Sequence, residues 1–344
     1  MNAETVPRIS VIVPCHNIEG FLPACLVSLA AQTHESFEVI CIDDGSTDAT
    51  GRMLDDQAAA DARFRVIHQG HQGPSAARNA GLGIARAQLI SYVDGDDYVS
   101  SRYLEVLDAV MEATGADIAC CGHVSASPDA SATLDDWPSL AEDSLACIST
   151  IDAQESLAQI ATEEINFAFW CKLFRRELVE AHPFPVGMVY EDIWNLGGVF
   201  ADARTVATVP ARLYCYVARH GSITRAKPAP MRTFWQFREA MERFEVTYAE
   251  RLGLVHATDD ASYCLHLVHR LCGQHTTLRS SECEDAARAQ ISEALHEELD
   301  AAYRLACLRG VSPLHPQMLR AMLLLNAPAL HDRALVAYRQ LTGA

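Results

Sequence analysis

Between Ile9 and Val93 the chain alternates short, nearly continuous apolar runs with longer stretches whose apolar positions recur every three or four residues. The runs Ile9-Ser10-Val11-Ile12-Val13, Phe37-Glu38-Val39-Ile40-Cys41-Ile42 and Leu89-Ile90-Ser91-Tyr92-Val93 predict strands buried on both faces, and Arg65-Val66-Ile67 predicts a shorter one. Phe21, Leu22, Cys25, Leu26 and Leu29 lie at helical spacing between the first two strands. A second helix is expected after the second strand, with Ser46 or Thr47 as its cap. A third, built of small residues from Ser75 to Leu82, follows a loop spanning Gly70 to Gly73. Strands and helices alternating at this pitch predict an α/β fold with a twisted, mainly parallel, Rossmann-like sheet and a site along one edge. From Met231 onward the text changes. Phe234, Phe237, Met241 and Phe244 and later leucines recur at three and four residues with no strand-like alternation, which predicts several packed helices.

Each buried strand ends in polar residues. The first runs into Pro14-Cys15-His16-Asn17, the second into Asp43-Asp44-Gly45-Ser46-Thr47-Asp48, and the third into Asp94-Gly95-Asp96-Asp97. Open α/β sheets bind ligands at such carboxyl ends. Three carboxylates as close as Asp94, Asp96 and Asp97 repel one another, and a divalent cation, often itself holding a phosphate, relieves the repulsion. An isolated D-x-D is better read as a solvated acidic turn. Here the two upstream strand ends supply the rest of a nucleotide site.

The string from Ile9 to Asp97 resembles the nucleotide-binding half of the inverting family 2 glycosyltransferases, which have the GT-A fold. The matching pieces are Val13 to Asn17, Ile42 to Asp48, Gly73-Pro74-Ser75-Ala76-Ala77-Arg78-Asn79-Ala80-Gly81, and Tyr92 to Asp97. Downstream, Phe169-Trp170-Cys171-Lys172-Leu173-Phe174, Tyr190-Glu191-Asp192-Ile193, and Tyr214 to Thr224 resemble the acceptor half of bacterial surface-polysaccharide members. The resemblance covers roughly the first two thirds of the chain. It implies a nucleotide-sugar-binding half at 1–110, an acceptor-binding half at 111–225 and a helical C-terminal region at 226–344.

The resemblance also assigns roles. Asp94 and Asp96 form the D-x-D pair, one oriented to ribose and metal-bound water and the other a direct ligand of Mg²⁺ or Mn²⁺, with Asp97 as the alternative ligand. Asp44 matches a carboxylate that accepts a hydrogen bond from the imide of uracil, which an ionised, acceptor-only group does well. Asp43 is expected to support the turn and Asp48 to act as a local cap. Pro14, His16 and Asn17 line the nucleotide, with the His16 ring able to lie against the base, and Arg78 reaches the diphosphate or base. Glu191 and Asp192 match the E-D motif in which the aspartate takes the acceptor proton; without the other motifs, the pair would simply favour a helix N-terminus. The implied reaction moves a sugar from a nucleotide-diphosphate donor, a UDP-sugar by Asp44, to a hydroxyl of a cell-surface polysaccharide or lipid-linked glycan.

A sugar nucleotidyltransferase would carry a Gly-rich, basic phosphate loop near the N-terminus, and Pro14-Cys15-His16-Asn17 is not one. No G-x-G-x-x-G follows the first strand, which removes support for a dinucleotide-dependent oxidoreductase. The non-enzymatic alternative is a nucleotide-sugar-binding scaffold. Charge narrows the partners further. Residues 1–225 hold 14 basic and 31 acidic side chains, whereas 226–344 hold 13 and 14. Nucleic acid rewards basic patches and is excluded as a partner, and donor phosphates must be held by a cation and by local groups against the overall field. The 12 cysteines are scattered, without a C-x-x-C pair, and Cys41, Cys120 and Cys121 sit in apolar runs, which predicts free buried thiols. Of 27 basic residues only Lys172 and Lys227 are lysines, so Lys172 is expected to make a point-charge contact to a buried carboxylate or carbonyl.

Cys264, His266, His269, Cys272 and His275 fit no familiar zinc spacing and are expected to be helical core and polar face. No run approaches the roughly 20 apolar residues of a membrane helix, which predicts a cytoplasmic protein. Met318 to Leu325, with Arg333 and Arg339, is where peripheral contact with the inner face of the cytoplasmic membrane would fall. The Ser-, Ala- and Asp-rich stretch from Ser125 to Ser149 reads as an acceptor-side insertion or a loop, and Arg219 to Thr224 as a loop closing over the site.

Overall fold

A computed structural model describes residues 6–126, 147–218, 230–280, 285–326 and 331. The chain divides into two compact units, Met1–Ser156 with Phe167–Thr224, and Leu157–Asn166 with Arg225–Ala344. Most of Ser125 to Ser149, the loop from Arg219 to Thr224, and Arg333 and Arg339 lie outside the described residues.

The first unit is a mixed sheet clothed by helices. In chain order the elements up to Val217 are β1 (Ile9–Cys15), α1 (Leu22–Ala30), β2 (Phe37–Asp44), α2 (Thr50–Ala60), β3 (Phe64–Gln69), α3 (Pro74–Ile84), β4 (Leu89–Tyr92), β5 (Tyr98–Val99), α4 (Tyr103–Thr114), β6 (Ile118–Ala126), β7 (Ser149–Ile151), α5 (Ala153–Ala161, whose residues from Leu157 belong to the second unit), β8 (Lys172–Arg175), α6 (Arg176–Ala181), α7 (Glu191–Asp202) and β9 (Val206–Val217). The strand order is β3-β2-β1-β4-β8-β6-β9-β5, with β7 on β9. The four predicted strands are present and mutually parallel, while β8 runs antiparallel to both β4 and β6. The sheet is therefore more mixed than the opening pattern alone predicts.

Sheet composition follows burial. Every residue of β2 and of β4 is buried, as near-continuous apolar runs require. Ile9, Val11 and Val13 share one core with Leu22, Cys25, Leu26 and Leu29 of α1 and Leu104, Leu107 and Val110 of α4. Helix α3 covers the opposite face. A Cβ at its Gly81 would stand 2.6 Å from Ile12 Cγ2 and 2.8 Å from Ile42 Cδ1, so glycine sets how close this helix lies to the sheet. The parallel register brings the strand ends level, with Cys15 opposite Asp43 and Ile12 opposite Tyr92.

Helix α2 departs from expectation. It begins at Thr50 and receives no side-chain cap from Ser46 or Thr47. Both hydroxyls are engaged across the edge instead: Asn17 N donates to Ser46 Oγ at 3.1 Å, and Thr47 Oγ1 donates to Asn17 Oδ1 at 3.3 Å. Joining two strand-end loops satisfies the same polar groups that a cap would have used. Asp48 does act locally, accepting Thr50 N at 2.9 Å.

The second unit contains α8 (Pro230–Leu252), a 3₁₀ turn at Ala257–Asp259, α9 (Ala261–Ser280), α10 (Asp285–Leu308) and α11 (Pro316–Asn326). Phe234, Phe237, Met241 and Phe244 are buried along α8, as their spacing predicts. Cys264, Val268, Leu271 and Cys272 of α9 pack with Ile291, Leu295 and Leu299 of α10 and with Met318, Ala321 and Leu324 of α11. The Cys/His series on α9 makes no metal-ligating trio among the described residues. His266 is buried in it, and burial pushes its pKa well below the ordinary value, while His269 pairs with Glu163 at 3.0 Å. Among the described residues no helix is long and apolar enough to cross a membrane.

Candidate active site

The site is assembled at the carboxyl ends of β1, β2 and β4. After β1 the chain turns sharply, with Asn17 in the left-handed region at φ 49°, a conformation asparagine tolerates better than most residues. Pro14 lies within β1, opposite Ile42 of β2. His16 Nδ1 lies 2.8 Å from the Asp44 carbonyl oxygen, and its ring stacks on His71 with centroids 4.0 Å apart. The end of β2 separates two adjacent aspartates by task. Asp43 accepts Ser46 N at 3.0 Å and lies 2.9 Å from His68 Nδ1; burial opposes its charge, but these two partners outweigh it and hold the pKa below the carboxylate norm. That is the turn-supporting role expected of it.

Asp44 is 3% exposed and its oxygens are densely contacted. Oδ1 accepts Gln69 Nε2 at 2.7 Å and Gln72 N at 2.9 Å, while Oδ2 accepts Gly73 N at 2.8 Å and lies 2.9 Å from His71 Nδ1. All four partners lie in β3 or the loop before α3, where Gly73 takes φ 89°. His71 is the exposed one, at 60% of its side chain, and is the partner best able to yield to a ligand. Sequence reasoning missed His71, because nothing in its spacing shows that the loop folds back onto β2.

Helix α3 carries Arg78 inward. Its side chain is 6% exposed, yet it meets three carboxylates: Nη2 is 2.9 Å from Asp94 Oδ1, Nη1 is 2.7 Å from Glu191 Oε1, and Nη1 is 3.7 Å from Asp192 Oδ1. Burial opposes the guanidinium charge, but the three acids overwhelm it and raise its pKa well above the ordinary value. Acids from the turn after β4 and from α7, far apart in sequence, thus share one cation from α3.

The turn after β4 holds the acidic motif. Asp94 N donates to the Tyr214 hydroxyl at 3.1 Å and Asp97 N to Asp94 O at 3.0 Å. Gly95 is required by contact, since a Cβ there would stand 2.6 Å from Ile18 Cδ1 and 3.1 Å from Pro14 O. Asp94 and Asp96 are half-buried, while Asp97 is 1% exposed. Asp97 accepts Tyr214 O–H at 2.7 Å and Val217 N at 2.8 Å, so β9 engages both of its oxygens. Burial, then the charges of Asp94 and Asp96, push its pKa up to about 9. Glu191 and Asp192 open α7, where the dipole favours them. Burial nevertheless raises both, Asp192 to about 7, with Arg78 pulling down and the neighbouring acids pushing up. Asp192 keeps 26% of its side chain exposed, so water moderates that shift. Lys172 is buried and donates to Ala168 O at 2.6 Å, the carbonyl contact its identity suggested.

The family model for glycosyl transferase family 2 matches residues 10–182, half of the chain. The chain belongs to that family. The chain is 34% identical over 230 residues to the Bacillus subtilis glycosyltransferase EpsJ, and the match spans 65% of each chain, just under two thirds of EpsJ. Its fold is similar to that of S. aureus TarS residues 1–349, solved with UDP-GlcNAc, at TM-score 0.59 and 18% identity over 88% of this chain and 89% of that one. It is also similar to the mannosyltransferase PcManGT of Pyrobaculum calidifontis, solved with GDP-Man and Mn²⁺, at TM-score 0.51 and 14% identity over 94% and 88% of the two chains. The GT-A fold with a helical C-terminal region follows from family and fold together.

Proposed function

We propose that this glycosyltransferase uses a divalent cation and inverts the anomeric centre, moving a sugar from a UDP-sugar to a hydroxyl of a cell-surface polysaccharide or lipid-linked glycan. The observation that carries this reading is the Arg78 guanidinium, which joins Asp94 of the acidic turn to Glu191 and places Asp192 3.7 Å away. One compact group of charges therefore serves both the donor and the acceptor proton.

Donor chemistry suits the residues present. The crowding of Asp94 and Asp96 against Asp97 is the kind a cation relieves, and oxygen donors suit Mg²⁺ or Mn²⁺. Because Asp97 is held by β9, Asp94 and Asp96 are the residues we assign to the ion, with remaining ligands from donor phosphates and water. When bound, the ion supplies positive charge for the leaving diphosphate. Asp44, whose carboxylate accepts the backbone N–H groups of Gln72 and Gly73, is assigned to accept the imide N–H of the base, and Pro14, His16 and Asn17 are assigned to the adjoining wall. The uridine assignment rests on Asp44, since solved structures of this fold carry UDP-GlcNAc in TarS and GDP-Man in PcManGT.

Asp192 is assigned the base. Its pKa near 7 lets it be ionised at neutral pH and still accept a proton as the hydroxyl becomes nucleophilic. The acceptor oxygen bonds to the anomeric carbon as the bond to the diphosphate breaks on the opposite face, and the hydroxyl proton goes to Asp192. Glu191, bonded to Arg78, holds the guanidinium that orients Asp192. The helices of the second unit are the assigned place for peripheral membrane contact with a lipid-linked acceptor. Thermal shifts with UDP, GDP, dTDP and CMP, each with and without Mn²⁺, test the donor side. Stabilisation by UDP that needs Mn²⁺ and disappears in Asp96→Ala is expected; a metal-independent shift, or one kept in the variant, contradicts the cation assignment.

A further inference from the structure

The strand-end loops bring a second set of chelating side chains together, away from the carboxylates around Arg78. One ring nitrogen each from His16 and His71 and a carboxylate oxygen of Asp44 all lie within 4.8 Å of one another, and among the described residues no other trio of such donors converges. The convergence is built. His16 Nδ1 and His71 Nδ1 face the same Asp44 carbonyl oxygen at 2.8 and 3.2 Å, and the rings lie stacked with planes 25° apart. The Asp44 carboxylate is aimed by Gln69, Gln72 N and Gly73 N, as ligating carboxylates usually are by outer partners. Asn17, whose Oδ1 accepts Thr47 N, donates Nδ2–H to His16 Nε2 at 3.1 Å, so Nδ1 carries the ring proton toward Asp44 O, and ligation of zinc by either ring nitrogen displaces one of these two hydrogen bonds.

Ligand chemistry selects the ion. Two imidazoles and one carboxylate suit Zn²⁺ or a similar borderline transition ion, whereas Mg²⁺ and Ca²⁺ take all-oxygen sets. Ligands about 2.1 Å from a tetrahedral zinc are roughly 3.4 Å apart, so the widest pair here must close by at most about 1.4 Å. His71, 60% exposed on a loop, supplies that movement by rotating its side chain.

We propose that His16, Asp44 and His71 bind a single Zn²⁺, with solvent completing the tetrahedron, and that the ion and the nucleotide base exclude each other. The exclusion rests on the reading of Asp44 as the base acceptor; the ion site does not. Zinc at this position makes the transferase responsive to a metal other than the one at its acidic turn.

The test is competition for Zn²⁺ between the tag-free, full-length chain and a chromophoric chelator, repeated for His71→Ala, His16→Ala and Asp96→Asn. One equivalent of zinc, weakened at least tenfold by either histidine substitution and unchanged by Asp96→Asn, is expected. Circular dichroism on each variant establishes that it is folded. No stoichiometric binding, equal binding in the histidine variants, or loss in Asp96→Asn alone each overturns the site. Uridine, which carries the base without a chelating phosphate, is then added at ten times its Kd. Exclusion raises the apparent zinc Kd about elevenfold. If uridine binds but leaves zinc affinity unchanged, the exclusion and the base assignment of Asp44 fail while the zinc site stands.

Discussion

Replacing Arg78 by methionine removes the cation that Asp94, Glu191 and Asp192 share while keeping an unbranched side chain in α3. Removing one partner of a buried ion pair costs about 3–5 kcal/mol, because the remaining charge stays buried without compensation. Glu191 is 10% exposed, but Asp94 and Asp192 are 27% and 26% exposed, so water screens two of the three acids and the low end, about 3 kcal/mol, applies. At roughly 2–4 °C per kcal/mol for a unit of this size, the expected fall in Tm at pH 8 is about 6–12 °C. The pH dependence has a definite sign. Glu191 and Asp192 already have folded pKa values above the unfolded ones, Asp192 about 7, so each binds more protons folded and withdraws stability as pH rises through that window. Deleting Arg78 raises both further, so the loss is larger at pH 8 than at pH 5. Melting curves of wild type, Arg78→Met and Arg78→Lys at both pH values measure this. A Tm within 2 °C of wild type at pH 8, or the same loss at both pH values, refutes the shared-cation argument.

Two more substitutions separate roles within the acidic motifs. Asp192→Asn should lower kcat by about 10²–10⁴-fold while keeping the Mn²⁺-dependent nucleotide shift, and the wild-type rate should climb as pH rises through about 7; full activity in the variant, or a flat profile, excludes Asp192 as base. Asp97, with a folded pKa of about 9 against an unfolded value near 3.9, also binds more protons folded, so wild-type stability should fall between about pH 4 and 9. Asp97→Asn removes that contribution and should flatten the decline in a pH series of denaturant melts, whereas an unchanged slope would show that Asp97 is ionised throughout.

Much of the fold is legible in local pattern. The buried strands of the first half are marked by apolar runs, and because side-chain burial on both faces demands such runs, β1, β2 and β4 fall where expected. The strand-end loops were readable for the same reason, since parallel register fixes which polar residues emerge together. The helical text after Met231 carries its own period and needs no partner to be recognised. Pattern does not reveal pairings made at long range: that β8 inserts antiparallel between β4 and β6, or that Ser46 and Thr47 bind Asn17 instead of capping α2.

Charge chemistry divides in the same way. Residue identities and spacing by themselves determined that carboxylates gather at strand ends, and family resemblance attached roles to them. Only the tertiary structure decided how neighbouring, chemically identical aspartates differ. Asp43 is tied to its own turn, Asp44 is ringed by the loop before α3, Asp97 is held by Tyr214 and Val217 of β9, and Asp94 shares Arg78 with Glu191. Sequence specifies the group and its local backbone, whereas proton affinity and partner depend on burial and on charges brought within a few ångströms by segments up to 120 residues away.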